Sequence, residues 1–584
     1  MKHISALLKN IAFIALLLTS LAGKGQTWDD LNARQYPQWF SDAKLGIFIH
    51  WGLYSVPAYA SKEGYGEWFY RGLMTGVPER QQIMSMYADT TLPLFDQYKE
   101  LTKYWHAELW QPQEWAKMFS EAGAKYVVLV TKHHDGYCLW DSPQQPQWNS
   151  TMSGPHRNIV AELTDAVRSE GLIMGFYYSL PEWTNPRHIW MQDPDDSISD
   201  YVDNYMVPQF KDLVSRYKPT LIFSDGDWQN SAEQFRSVEL IDWYYKTVGP
   251  DAIVNDRWGN VTKHGFRTPE YSAGIADTTR PWAECRGVGR SFGLNRNEDL
   301  DNYLTDSELI QHFCELVAHG GGLTLNVGPY ADGTIPLIQQ ERLHSIGKWL
   351  ETNGEAIYGS RAWSTPCQRE KHSAPMPVST TIDYDWVRNA PLKGMPVDNF
   401  TIQWEGEVQV PEDGDYIIRI EGNDEASVIW NDDEKLLFYH HGWAENADAQ
   451  KTVHLKKGAT TLKVNYTEKD LEATARLSWS RDGISFEPVP AEWHGTAEWE
   501  NTIRCFTKNH DALYVIEFER PWQELIIPDM PRIKKGSKIQ MLGTTANLKW
   551  KQKKDGTLVI DLSNIRQPEM NALENAWVIK IFPF

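Results

Sequence analysis

Cysteine is scarce in this chain of 584 residues. Its five copies (Cys138, Cys285, Cys314, Cys367, Cys505) are odd in number and widely scattered. That pattern makes neither a disulfide framework nor a zinc-ligand spacing, and buried free thiols are the expectation. Basic clusters are missing as well. Lys and Arg number 57 against 78 Asp and Glu, a formal net charge of −21, with no basic tail or stripe. Phosphate repulsion therefore argues against a nucleic-acid partner. Tandem repeats and low-complexity tracts are absent. So is the HExxH helix signature of zinc hydrolases. Long apolar runs are limited to one, Ile11 to Ala22, with Lys2 and Lys9 before it and Gly23 after it. It falls short of the about 20 apolar residues that span a bilayer. A basic start, a short apolar centre and small residues thereafter read as a secretory signal over residues 1–26, the alternative being an uncleaved anchor. Export to the periplasm or the medium follows, with no membrane insertion after cleavage. No Cys precedes Cys138, so no lipid-anchor cysteine is expected.

Tryptophan, by contrast, is abundant at 27 residues. Flat indoles stack on sugar rings, but most large aromatics sit in cores, and for any one Trp the core is the better expectation. From about Lys44 to Gly354, short apolar runs alternate with amphipathic helical stretches. Eight runs are read: 44–52, 125–136, 172–179, 220–226, 252–259, 268–272, 282–289 and 321–329. The helical stretches include 112–124, 157–171 and 202–217, with Pro112 at a helix start and Gly123 and Gly171 at helix ends. Apolar strands alternating with helices predict an α/β fold, a (β/α)8 TIM-like barrel, irregular across its fifth to seventh runs. An open doubly wound sheet is the alternative, disfavoured because no glycine-rich phosphate loop follows the first strand. Beyond the last helix the pattern turns all-β, first over about 400–479 and again over about 502–584, which predicts C-terminal β-sandwiches.

Reacting groups in barrels project from the C-terminal ends of strands. Those ends offer His50, His133, His134, Tyr177, Asp225, Asp256, Arg257 and Glu270. Two of the carboxylates, on the fourth and sixth runs, suit glycoside hydrolysis. One group attacks or stabilises the anomeric carbon and the other protonates the leaving oxygen, about 5–5.5 Å apart in the double-displacement variant. A strand-end Asp also serves simply to cap a helix or pair with an Arg, and that reading stays open. HHDG invites a metal reading too, but a zinc site wants three or four ligands. Adjacent His residues on a regular strand face opposite ways, so both reach one ligand only if the strand has already bent into its loop.

The ordered segments LGIFIHWG, Glu67-Trp68, KHHDGYCLW, FYYS, IFSDGDW, VNDRWG, TPEY, RSFGLN and GGLTLNVGPYADGTIP resemble those of the α-L-fucosidases of glycoside hydrolase family 29, from about Trp28 to Trp363. The resemblance implies a retaining exo-glycosidase that acts on fucosylated glycans or oligosaccharides with neither metal nor organic cofactor. It places the nucleophile at Asp225 and the acid/base at Glu270. Fucose contacts fall on His50, Glu67, Trp68, His133, His134, Tyr177 and Arg257, and Phe292 lies near the sugar's methyl group. Hydroxyls want such His, Glu, Tyr and Arg partners, and a methyl wants an apolar wall.

Two positions depart from the family. Phe223 stands where many relatives carry Trp, and Trp282-Ala283-Glu284 replaces a Trp-Glu pair, so Glu284 is expected to point away from the site. Ala283 keeps alive a catalytically impaired fucose- or glycan-binding protein on the same scaffold. A barrel hydrolase for another deoxy or galacto-configured sugar is the further alternative. The expected division is a barrel over 27–353, a C-terminal β-sandwich over 354–389 and 496–584 with GEAIYGSRAW (354–363) as its first strand, and an inserted module over 390–495. That module resembles the protective-antigen-type β-sandwich found in other bacterial glycosidases. It either leans over the active-site rim, binds glycan or acts as a spacer. Asp424, Asp432 and Asp433 are its candidate binding-loop residues, or plainly solvated turns.

Overall fold

A computed structural model of the chain describes residues 27–62, 64–188, 197–259, 263–271, 279–387, 389–422, 424–430, 434–439, 447–469 and 473–584. The expected leader at 1–26, with Asp432 and Asp433, lies outside the described residues.

Seven parallel strands form the first sheet: β1 (Leu45–Ile49), β2 (Tyr126–Lys132), β3 (Ile173–Ser179), β4 (Leu221–Asp225), β5 (Ile253–Val254), β6 (Glu284–Gly287) and β7 (Leu323–Val327). Their order is β5-β4-β3-β2-β1-β7-β6, a curled TIM-like arrangement with β1 between β2 and β7. Helices α1 (Pro112–Glu121), α2 (Ile159–Ser169), α3 (Val207–Tyr217), α4 (Ser237–Val248), α5 (Asp306–Ala318) and α6 (Leu337–Asn353) cover its outer face. Each buries an apolar stripe, as α2 does with Ile159, Val160, Leu163, Ala166 and Val167, while the Asn158 side chain caps its first turn. Gly123 and Gly171 end α1 and α2 at φ +85° and +74°, where a Cβ is strained.

Of the sixth predicted run, 268–272, the described residues 268–271 form no strand. Phe266 bridges Asn255 beyond β5, while Arg267 and Glu270 make single parallel bridges to Trp282 and Cys285 on the β6 side. Pro269 explains the interruption: it has no N–H to donate, although its carbonyl still accepts from Cys285 N at 2.9 Å. These bridges fill the gap between β5 and β6.

Side chains on the sheet's inner face form their own core, including Phe48, Tyr126, Val128, Tyr177, Leu221, Phe223, Ala283 and Cys285. The tryptophan surplus goes mainly into cores. Trp51 meets Trp105, Trp110 and Trp115 at ring-centroid distances of 5.1, 5.3 and 5.1 Å, and Trp404, Trp430 and Trp493 are buried in the second half of the chain.

That half begins at β8 (Arg361–Pro375), seven residues later than GEAIYG suggested, because 354–356 closes α6 as a 3-10 turn. β9 (Asp383–Val387), β10 (Phe400–Val410), β11 (Gly414–Gly422), β12 (Glu425–Trp430), β13 (Glu434–Tyr439), β14 (Ala447–Leu455), β15 (Gly458–Glu468), β16 (Ala473–Ser480) and β17 (Glu487–Pro488) follow. Next comes β18 (Trp493–Asn509), a strand of 17 residues. After it come β19 (Ala512–Glu517), β20 (Glu524–Ile527), β21 (Lys538–Met541), β22 (Asn547–Gln552), β23 (Leu558–Asp561) and β24 (Trp577–Phe582). One sheet of twelve strands runs from β13 to β20, and a second of five holds β14, β11, β16, β17 and β9. β18 pairs with β10 through its first half and with β19 through its second, so a single strand passes from the middle unit into the last. β9 pairs with β16, so residues 383–387 share a sheet with the middle unit's strands.

Cys367 and Cys505 face each other on β8 and β18 and form a disulfide, which overturns the expectation of five free thiols; Cys138, Cys285 and Cys314 are free and buried. Among the described residues, no helix is long and apolar enough to cross a membrane.

Candidate active site

Strand alternation aims the site. On β4, Leu221 and Phe223 face inward, so Asp225 does too; Phe48 on β1 leads likewise to His50, and Thr324 on β7 leads to Asn326. Immediately beyond Asp225 the chain turns at Gly226, φ +83°, where an added Cβ would meet Pro181 at 2.3 Å.

Arg257 organises the centre. Its Nη1 lies 3.1 Å from Asp225 Oδ1, and its Nη2 lies 2.5 Å from Glu270 Oε1. Its Nε donates to Thr268 Oγ1 at 3.0 Å, and Nη2 also donates to Thr268 O at 3.0 Å, which fixes the plane of the fork. One guanidinium thus holds both carboxylates, whose side chains are 12% and 17% exposed. Tyr177 Oη donates to Asp225 Oδ2 at 2.7 Å, and His134 Nε2 stands 3.5 Å from the same oxygen. Burial alone would raise the Asp225 carboxyl. The nearby His134 ring, the Arg257 charge and the Tyr177 hydroxyl outweigh it and hold the group far below the usual carboxylate range.

Burial biases several surrounding groups toward their neutral forms. Burial pushes Glu67 up to about 8, with the Glu270 charge adding to it against a hydrogen bond from Gly293 N at 2.6 Å. Asp227 is pushed up to about 7, also by burial. His50 falls to about 4 and His133 is lowered well below its ordinary value, both because burial disfavours the imidazolium. Asn326 Nδ2 donates to Phe292 O at 2.7 Å, which leaves Asn326 Oδ1 to accept from His50 Nδ1 at 2.6 Å. His50 Nε2 is then an acceptor. Ser179 gives its proton to Pro181 O, so His134 Nδ1 donates to Ser179 Oγ.

The two adjacent histidines do converge. The β2–β3 register shifts between Val130 and Lys132, and His133 and His134 lie past the strand end. His133 stacks on Tyr177 at 5.6 Å and 2°, while Asp135 turns away to accept from Tyr98 Oη at 2.8 Å. Among the described residues no three His, Cys, Asp or Glu side chains are grouped to hold a metal ion. Phe292 closes the apolar side against His50, Tyr65 and Tyr271 at 5.0, 5.4 and 5.4 Å. Trp68 packs on His134 and Trp183 at 6.0 and 5.3 Å. His133 Nδ1 and Tyr54 Oη are buried without a hydrogen-bond partner among the described residues. Such orphans cost about 1–3 kcal/mol each, and a hydroxyl-rich ligand would relieve them.

All ten of the sequence-predicted site residues are therefore brought together around Asp225 and Arg257. Asp256, the remaining strand-end candidate, does not join them: it accepts from Thr268 Oγ1 at 3.2 Å and lies 3.8 Å from Arg280. Glu284 points outward to His312 Nε2 at 2.7 Å, and Ala283 faces the barrel interior. Phe223 lies beneath the site, its ring 5.2 Å from the Arg257 guanidinium. Sequence reasoning passed over Asn326, although it too stands at the inner end of a strand, and Trp228, which stacks on Trp68 at 6.2 Å.

Comparison with known proteins agrees with this geometry. The family model for alpha-L-fucosidase matches residues 19–355, that for the PA14 domain 354–493, and that for the alpha-L-fucosidase C-terminal domain 499–582. An alpha-L-fucosidase of Dictyostelium discoideum is 40% identical over 370 residues, 60% of this chain and 78% of that protein. The tissue alpha-L-fucosidase of Homo sapiens is 38% identical over 359 residues, 59% and 74% respectively. The crystal structure of Thermotoga maritima alpha-fucosidase in complex with fucose superposes with a TM-score of 0.62 at 26% identity, covering 95% of this chain and 99% of that one.

Proposed function

Because this chain belongs to the alpha-L-fucosidase family of glycoside hydrolases, we propose that it removes terminal α-L-fucose from glycans or oligosaccharides by double displacement at Asp225 and Glu270. The observation that carries this reading is the shared guanidinium. Arg257 binds both carboxylates, each largely buried, and Asp225 is held ionised there.

An Asp225 oxygen attacks the anomeric carbon as the glycosidic bond breaks, and the leaving oxygen takes a proton from Glu270. The fucosyl unit is then an ester of Asp225. Glu270, now a carboxylate, takes a proton from water, whose oxygen attacks the same carbon, breaks the ester and returns Asp225 to its anion. Since Arg257 also holds Glu270, the acid step requires Glu270 to exchange the guanidinium for the leaving oxygen and a proton. His50, His133, Glu67 and Tyr177 offer the sugar hydroxyls acceptors and donors, and Phe292 offers an apolar wall to the methyl group.

The test is release of L-fucose from an aryl α-L-fucoside and from oligosaccharides. Asp225→Ala is expected to lower kcat about a thousandfold or more. A parent protein that releases no fucose from any of these substrates contradicts the reading. We also propose export across the cytoplasmic membrane, supported by the signal-like run at Ile11 to Ala22 and by the Cys367–Cys505 bridge, since disulfides persist in oxidising compartments. Fractionation of the producing cell tests it, and a cytoplasmic, full-length chain contradicts it.

A further inference from the structure

We propose that Trp228 is the platform of a leaving-group subsite, stacking the pyranose ring that lies beyond the fucosyl bond; this inference rests on the fucosidase reading above. Trp228 follows Asp225 by three residues and is 45% exposed. Exposure alone asks for no explanation, as Trp522 at 71% shows, but this indole stands beside the reacting carboxylate and is stacked on the aromatics that flank it.

Its neighbours give it a direction. Trp183 is buried, Trp68 is half-buried and packs on Trp183 at 5.3 Å, and Trp228 lies on Trp68 at 6.2 Å with the rings 24° apart. The His134 ring meets Trp228 edge-on at 5.5 Å, and His134 is also the residue turned toward the Asp225 carboxylate. Three indoles therefore form a wall that rises from the reacting carboxylate to solvent. Gly226, turned at φ +83° against Pro181, fixes the start of the segment that carries Trp228.

In the fucosidase reading a terminal fucose lies against Asp225, where the hydrogen-bonding groups converge. The sugar to which it is attached must leave toward solvent, alongside this wall. A pyranose presents C–H bonds on its faces and hydroxyls on its rim. Its face suits an indole π-surface, while the rim stays hydrated at an exposed position. The competing role for Trp228 is a cover over Trp68 and His134 with no contact to the departing sugar.

The two roles separate when leaving groups with and without a ring are compared. The readout is the ratio of kcat/KM on a fucosyl disaccharide to kcat/KM on α-L-fucosyl fluoride, whose leaving group is a single atom. Trp228→Ala is expected to lower that ratio about tenfold, the scale of one aromatic contact, and Trp228→Phe to lower it less. A ratio that stays within about twofold of the parent's in Trp228→Ala, including a parallel fall on both substrates, assigns Trp228 to the cover role and overturns the inference. A parent protein inactive on both substrates overturns the fucosidase reading itself, and the subsite with it.

Discussion

Glu67 shows how much of this site's chemistry is set by burial. Its carboxyl, pushed up to about 8, stays protonated at neutral pH and is able to donate as well as accept. Stability should follow. The unfolded chain releases this proton near the ordinary Glu value, whereas the folded chain keeps it until about 8. Between those values the unfolded state binds fewer protons, so stability falls as pH rises, by up to about 1.4 kcal/mol per unit from this group. Glu67→Gln removes the titration in a side chain of the same shape. The difference in urea midpoint between variant and parent should therefore grow from pH 5 to pH 8, and a difference that is flat with pH would refute the assignment. At this scale the sequence was informative wherever a side chain stood at the inner end of a strand, as with His50, Tyr177 and Asp225. Asn326 satisfies the same rule, but a neutral amide suggests no chemistry until its hydrogen bonds to His50 and Phe292 are seen. The exposure of Trp228 depends on a turn and on neighbours distant in sequence, and leaves no local trace.

At the scale of elements, the loops that present the histidines are anchored by a buried ion pair. Lys132, the last residue of β2, places its Nζ 2.7 Å from Glu182 Oε1, with both side chains fully buried. Lys132 also donates to Gln209 Oε1 on α3 at 3.2 Å, and Tyr205 Oη donates to Glu182 at 2.8 Å. Trp183 N donates to His134 O at 2.7 Å, so the Glu182 loop is tied directly to the histidine loop. Lys132→Met leaves Glu182 buried without its cation and is expected to cost about 3–5 kcal/mol in urea unfolding, with the double variant Lys132→Met, Glu182→Met recovering much of it. A single variant as stable as the parent would show that the pair is not the anchor. The barrel itself was legible because β1 to β4 and β7 are continuous apolar runs between amphipathic helices. The TPEY segment was read as a strand, whereas its partners are single bridges, because Pro269 breaks the ladder.

For the whole molecule, the second half is less divisible than its sequence suggested. The three family matches end and begin close together, yet β18 runs unbroken from the PA14-like unit into the last sheet, and β8 pairs along most of it. Residues of the last unit, Tyr514, Ile516 and Val578 among them, also share a core with the barrel helices. Turn signals and alternation reveal strands but not their partners. Cys367 and Cys505, 138 residues apart, offered no spacing by which to pair them. Thiol titration of the denatured protein checks this pairing: three reactive thiols before reduction and five after are expected, and five before reduction would contradict it.

The central proposal is that Asp225 becomes covalently bound to the sugar. Incubation with 2-fluoro-fucosyl fluoride tests it most directly. Fluorine at carbon 2 slows both chemical steps, and the good leaving group spares the first, so an ester intermediate accumulates. Mass spectrometry of the digested protein should find one fluorofucosyl unit on the peptide that contains Asp225, and none in Asp225→Ala. An adduct on another residue, or inactivation without any adduct of a parent protein that turns over fucosides before treatment, would contradict it.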